Sequence, residues 1–256
     1  MKKCIQKPDN EAEKKPTHMQ SNMGEQQCDE KISAIENEKA RVDFLRMLAH
    51  DLRAPLAAIV GSAYTVAQNI DALSKEQIQC LTMNIAQSGE RLIPMIENAL
   101  TITKLDGDFR LNKMEELAGD ILYAAIRHFR ESESYKDIKI IVDAPKKVIL
   151  IPMDAVLIVR VLLNLMNNSA YHGEHTKTIW MKVFYEKDKA IFTVEDDGVG
   201  FVVVPEKDKK RNSKTRGMGI GLECCKTVIR EHGGTLTFGN RPEGGARSQF
   251  TLPLYN

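Results

Sequence analysis

Two apolar seams, each recurring every three or four residues and separated by a short polar stretch, constrain this chain more than any other feature. The first runs through Leu45, Leu48, Leu52, Leu56, Ile59, Ala63, Val66 and Ile70, the second through Ile78, Leu81, Ile85, Leu92, Ile96 and Ala99. That spacing puts each set on one stripe of an α-helix, and so short a connection turns the helices back on one another as a hairpin. Ser74 followed by Gln77 is a capping-box pattern and marks where the second helix starts. Pro94 falls inside that helix and is expected to kink it. One hairpin buries little of its own seam, so two chains are expected to pair into a four-helix bundle, a homodimer.

Asp106-Gly107-Asp108 ends the helical pattern and sets the domain boundaries: 1–40 a disordered or linker segment, 41–107 the hairpin, 108–256 a second domain. Residues 1 to about 30 hold hardly a large aliphatic and are read as a disordered tail. Beyond the hairpin, a helix is expected near 114–131, strands near 138–143 and 147–151, and a helix over 155–172. Strands over 178–186 and 189–195, a helix near 220–231 and a terminal β-hairpin complete an α/β two-layer sandwich. The 256 residues, 43% of them hydrophobic, suffice for two such cores. A net charge of +1 excludes broad nucleic-acid binding. Five cysteines without a CxxC pair fit neither a disulfide framework nor a zinc site, which points to a reducing, cytoplasmic setting. No run approaches the roughly 18 apolar residues of a membrane span.

His50 stands two positions from Leu48 and from Leu52, so at about 100° per residue it faces away from the seam, into water. A lone exposed histidine usually does nothing. This one opens His50-Asp51-Leu52-Arg53-Ala54-Pro55, where a nucleophile is followed by a carboxylate that could take its proton and a proline that loosens the helix. Farther on, a helix with Asp154 as its N-cap is almost continuously apolar, yet Arg160, Asn164, Asn168 and His172 fall on it at four-residue steps. Buried amides need partners, so something polar lies against that stripe: a structural hydrogen-bond network, or a magnesium–phosphate assembly.

Asp196-Asp197-Gly198-Val199-Gly200 places a carboxylate at a strand end and glycines at a tight turn. Gly217-Met218-Gly219-Ile220-Gly221-Leu222 opens a helix, where backbone amides can cradle phosphates, although neither the Rossmann nor the Walker spacing is present. Between them Lys207, Lys209, Lys210, Arg211, Lys214 and Arg216 form a basic loop, either solvated surface or a lid over a triphosphate.

In this order the segments resemble the histidine kinases of two-component signalling over residues 42 to 254. His50 to Pro55 is similar to the family's H-box, VLLNLMNNSA (161–170) to its N-box, Asp196 to Gly200 and Gly217 to Leu222 to its two glycine boxes, and the stretches at 233–236 and GGARSQFTLPL to its closing strands. The resemblance implies a dimeric histidine-phosphotransfer hairpin followed by an ATP-binding domain of the Bergerat, or GHKL, type. It implies that His50 is the phosphoacceptor and Asp51 its neighbouring base, and that ATP and Mg2+ are bound, with Asn168 on the metal and Asn164 in support. Asp196 would accept the adenine amino group; Gly198, Gly200, His172, Arg216, Gly217, Gly219, Gly221 and Leu222 would surround the nucleotide. The phosphoryl group would pass to an aspartate of a response regulator's receiver domain.

Some positions depart from the family. Ala54 stands where many members carry a threonine or asparagine implicated in dephosphorylating the regulator, so that activity is expected to be weak. Tyr171 replaces a common lysine or arginine, a loss that His172 or the basic loop could offset, and the lid lacks a phenylalanine-rich box. No sensor segment is recognisable, so input would come from a separate sensor protein meeting residues 1–40, or from a signal the sequence does not display. Two other functions compete: a phosphotransfer adaptor with a decayed nucleotide pocket, disfavoured by the intact boxes, and an anti-sigma-type serine kinase, which has no need of the hairpin.

Overall fold

The protein is described here by a computed structural model covering residues 18–105, 110–145, 149–173, 175–201 and 219–255. Two compact units divide it, Met1–Arg46 and Met47–Asn256. Helix α1 spans His18–Asn69 and helix α2 Lys75–Leu105. Residues 18 to about 30 are helical where a disordered tail was expected; residues 1–17 lie outside the described residues. Glu, Lys, Gln, Met and Ala dominate residues 18–40, and they favour helix through their own backbone preference even where nothing is buried.

The hairpin turn is held as its capping box implies: Ser74 N–H donates to Gln77 Oε1 at 2.8 Å, and Gln77 N–H to Ser74 Oγ at 3.2 Å. Within the hairpin, Ser62 is buried and accepts from Asn84 Nδ2 at 3.0 Å. Both helices continue through their prolines, Pro55 and Pro94. Leu45, Leu56, Ile70 and Ile96 of the two seams stay exposed, as do Val60, Tyr64, Ile93 and Leu100 outside them.

In the second domain, strand β1 (Met114–Leu117) precedes helix α3 (Ala118–Phe129), so the first turn of the helix expected from 114 is instead a strand. It pairs antiparallel with β3 (Leu150–Met153), a tertiary pairing that overrides local helix preference. Strands β2 (Lys139–Asp143), β4 (Thr178–Glu186), β5 (Lys189–Asp196), β6 (Leu236–Asn240) and β7 (Ala246–Pro253) form a five-stranded sheet in the order β2-β4-β5-β7-β6. β2 and β4 run parallel; the other neighbours are antiparallel. Helices α3, α4 (Ala155–His172) and α5 (Ile220–Glu231) form the second layer, with Ile158, Val161, Leu162, Leu165, Met166, Cys224, Cys225 and Val228 buried. Across the sheet Phe192 stacks on Phe250 with ring centroids 4.8 Å apart.

His232 closes α5 onto the start of α4. It is buried; its Nδ1 donates to Val228 O at 2.7 Å while Nε2 accepts from Asp154 N–H at 3.0 Å. Both nitrogens are used only by the neutral ring, and burial holds the imidazole below its ordinary value of 6.5. The unfolded chain therefore takes up this proton first, so the stability gained from a neutral His232 is complete above about pH 6.5 and is lost as pH falls toward the folded-state value. Urea unfolding at pH 7.5 and 5.5 should show the midpoint dropping on acidification, and His232→Gln should flatten that drop while lowering stability at both pH values.

Candidate active site

Helix α1 presents His50 to water, with 83% of its side chain exposed. His50 Nδ1 lies 3.2 Å from Asp51 Oδ1, which leaves Nε2 as the outward nitrogen. The other oxygen, Asp51 Oδ2, accepts from the backbone N–H of Ile220 at 3.4 Å. Helix α5 has Gly219 as its N-cap and no side-chain capping bond of its own. Asp51 supplies that missing cap from a different element, with a negative charge at the positive end of the helix dipole.

Helix α4 starts where Asp154 Oδ1 accepts from Leu157 N–H at 3.2 Å; Oδ2 accepts from Asn112 N–H at 3.1 Å. Its apolar residues take one side, and its polar stripe divides. Arg160 and Asn164 face helix α2 of the hairpin. Arg160 Nη1 donates to Glu97 O at 2.8 Å and also to Thr101 Oγ1, and its Nη2 lies 3.4 Å from Glu97 Oε2. Asn164 and Asn98 exchange two amide bonds, 2.9 Å and 3.0 Å, both residues being buried. In this structure the side chains of both residues are engaged with α2. Tyr171 joins them, with Arg91 lying 4.3 Å above its ring and donating to its hydroxyl at 3.1 Å. A cation thus reaches this end of α4 from α2.

Asn168 differs. Its Nδ2 is buried and has no hydrogen-bond partner among the described residues, which makes it an amide waiting for an acceptor. At the end of β5, Asp196 is buried, and its Oδ1 accepts from Gly198 N–H and Ala246 N–H, each at 3.0 Å. Asp197 Oδ1 accepts from Lys177 N–H and Thr178 N–H at 2.8 and 2.9 Å. Burial would raise the Asp197 carboxyl, but these amides outweigh it and hold it low. Gly198 passes so close to Gly173 that a Cβ would stand 2.1 Å from the Gly173 carbonyl oxygen, and Gly200 adopts φ +74°. Glycine is required at both for steric and conformational reasons.

Gly219, Gly221 and Leu222 form the first turn of α5, Leu222 N–H donating to Gly219 O at 2.9 Å. A Cβ on Gly221 would stand 3.5 Å from Asn164 Oδ1 and 3.7 Å from Asn98 Nδ2, so this turn lies against the amide pair. Arg216, Gly217 and the basic loop lie outside the described residues, as does the side chain of His172. The sequence reading missed Asn98, Arg91, Glu97 and Thr101. Asn98 carried a signal: an amide directly before the seam residue Ala99 needs a buried partner. Among the described residues no cluster of three or more His, Cys, Asp or Glu side chains could hold a metal ion.

Comparison with known proteins matches residues 40–108 to the family described as the His Kinase A (phospho-acceptor) domain. Residues 153–256 match the histidine kinase-, DNA gyrase B- and HSP90-like ATPases. The sensor protein KdpD of Clostridium acetobutylicum is 35% identical over 229 residues, 86% of this chain and 25% of that protein. KdpD of Escherichia coli is 30% identical over 232 residues, with 86% and 25% covered. The chain spans about a quarter of the length of these relatives. The Acinetobacter baumannii histidine kinase AdeS shares the fold at TM-score 0.58 and 16% identity, over 81% of this chain and 98% of that one. Histidine kinase ThkA, solved with the response regulator protein TrrA, does so at TM-score 0.58 and 21% identity, over 94% and 68%.

The amide pair generates a direct measurement. Asn98→Ala and Asn164→Ala should each cost roughly 1–3 kcal/mol, since each strands a buried amide. In a double-mutant cycle followed by urea unfolding, the two losses should fall short of additivity by about 1 kcal/mol or more. Strict additivity would show that the pair contributes no coupling.

Proposed function

Because the chain belongs to the two-component sensor histidine kinases through both of its domains, we propose that it is an ATP-dependent autokinase that phosphorylates His50 and hands the phosphoryl group to an aspartate of a response regulator. The observation that carries this reading is the His50–Asp51 pair lying against the first turn of α5. A serine kinase has no use for an exposed histidine there, and a phosphotransfer adaptor has no use for a nucleotide fold beside it.

His50 donates its Nδ1 proton to Asp51, so the lone pair on Nε2 is free to attack the γ-phosphorus. The N–P bond forms as the bond between the γ-phosphorus and the β–γ bridging oxygen breaks; ADP leaves, and Asp51 accepts the Nδ1 proton as the ring becomes cationic. The residues present fit an ATP–magnesium complex: Asn168 offers a hard amide oxygen for the metal and, for a phosphate oxygen, an Nδ2 that has no partner among the described residues. Asp196, aimed by Gly198 and Ala246, would take the adenine amino group. Gly219, Gly221 and Leu222 would offer backbone around the phosphates, and Asn164 would act indirectly, by fixing α4. Domain boundaries at 41–107 and 108–256 are part of this reading.

Pairing of two hairpins into a homodimer is supported by the exposed apolar groove of Ile59, Val60, Ala63, Tyr64 and Ala67. ATP as donor sets the reaction in the cytoplasm, where the free thiols of Cys224 and Cys225 would persist. No described helix is long and apolar enough to cross a membrane.

Incubation of the native chain with γ-labelled ATP and magnesium should give an acid-labile, base-stable label that His50→Gln and Asn168→Ala each reduce at least a hundredfold. An unlabelled native chain that accepts phosphate from a phosphorylated regulator would favour the adaptor instead. Ala54 is exposed one turn beyond His50 and offers no hydroxyl or amide to orient water there. A phosphorylated receiver domain should therefore lose phosphate no faster with the chain than alone, and Ala54→Thr should accelerate the loss several-fold.

A further inference from the structure

We infer that phosphoryl transfer runs within one chain: the nucleotide domain phosphorylates the His50 of its own hairpin, not that of a dimer partner. This inference rests on the kinase reading above and specifies its acceptor.

The α/β domain is seated on its own chain's hairpin by a row of contacts along α2. Arg91 with Tyr171, the reciprocal Asn98–Asn164 pair, and Arg160 with Glu97 and Thr101 fix α4 along α2. From Arg91 to Thr101 this seat covers about 15 Å of helix. Ala99 and Ile102 are buried in the same stretch. The seat brings the N-terminus of α5 to α1 of the same chain, where Asp51 Oδ2 accepts from Ile220 N–H.

Two hydrogen-bond steps then separate the acceptor ring from the first turn of α5: His50 Nδ1 to Asp51 Oδ1 at 3.2 Å, and Asp51 Oδ2 to Ile220 N at 3.4 Å. A partner's His50 could reach α5 only by displacing this chain's Asp51, which would leave the helix uncapped because Gly219 contributes no side chain. The face open to a partner lies elsewhere. Ile59, Val60, Ala63, Tyr64 and Ala67 line the exposed apolar groove of α1, and at about 100° per residue they centre roughly 150° around the helix from Asp51. A second hairpin covering that groove leaves the Asp51 face to the chain's own nucleotide domain. Within the chain the balance is that of the step above: Nε2 gains phosphorus, ADP leaves with the electron pair of the broken P–O bond, and the Nδ1 proton moves to the same chain's Asp51.

Two measurements test the inference. In the first, Asn98→Cys and Asn164→Cys are placed in one chain, with Cys4, Cys28 and Cys80 replaced by Ser, and treated with a short bismaleimide. The linked product should keep the mass of a single chain under denaturing conditions, whereas linkage joining two chains would overturn the own-chain seat. In the second, a hetero-pair of a His50→Gln chain and an Asn168→Ala chain is purified through two different tags and given labelled ATP and magnesium. Transfer within a chain predicts less than a tenth of the label taken up by the native dimer. Label on the Asn168→Ala chain at a tenth of native or more overturns it, and a pair carrying Asp196→Asn instead, with the same limits, guards against a misfolded Asn168 variant. A native chain that takes no label at all would sink the kinase reading, while the cross-link would still report which chain's hairpin holds the domain.

Discussion

The buried exchange of two amide bonds between Asn98 and Asn164 sits where α2, α4 and α5 meet, and the arrangement of the other parts depends on it. A neutral amide bond contributes only about 1 kcal/mol net, but an amide stranded in the same place costs roughly 1–3 kcal/mol. The pair therefore acts less as glue than as a register. Ala99 and Ile102 bury apolar area that would tolerate sliding by a residue or a turn; the amides tolerate neither. With α4 locked against α2, the first turn of α5 can fall against α1 and meet Asp51.

Much of this arrangement was legible in the sequence where local pattern and tertiary environment agree. Helix α4 and strand β4 run over the expected residues because Asp154 caps the first, and alternation of buried and open positions defines the second. Met114–Leu117 was not legible, since its strand exists only through the pairing to β3. The helix over residues 18 to about 30 was not legible for the opposite reason, burial having been weighed where intrinsic helix preference decides. The polar stripe of α4 showed that a polar partner must exist but not which one. Periodicity finds the face of a helix, and only three-dimensional packing reveals that Arg160 and Asn164 turn to a helix some sixty residues earlier in sequence, while Asn168 Nδ2 has no partner among the described residues.

Adjacent carboxylates at the end of β5 show how strand alternation assigns different work to neighbours. Glu195 is buried, and burial alone would raise its carboxyl; Lys182 at 2.8 Å and Arg247 at 2.6 Å outweigh that and hold it low. Asp196, pointing the other way, is fixed by backbone amides and lies next to the glycine turn. Arg241 ties the two together. Its Nε lies 3.4 Å from Glu195 Oε2, its Nη1 donates to Asp196 O at 3.0 Å, and its guanidinium rests 4.0 Å over the Trp180 ring. An ion cluster on one side of the sheet thereby stiffens the strand end that carries the adenine-binding candidate on the other.

Asp51 carries the same logic between domains. As a cap it needs only to be an acceptor at the head of α5; as a base it needs to take a proton from His50. One carboxylate is placed for both, since its two oxygens face different partners, Oδ1 the ring and Oδ2 the Ile220 amide. A proton arriving on Oδ1 removes the negative charge that makes Oδ2 a good cap, since a neutral carboxyl interacts only weakly with the helix dipole. Completion of phosphoryl transfer would thus weaken the contact that brought α5 to the histidine.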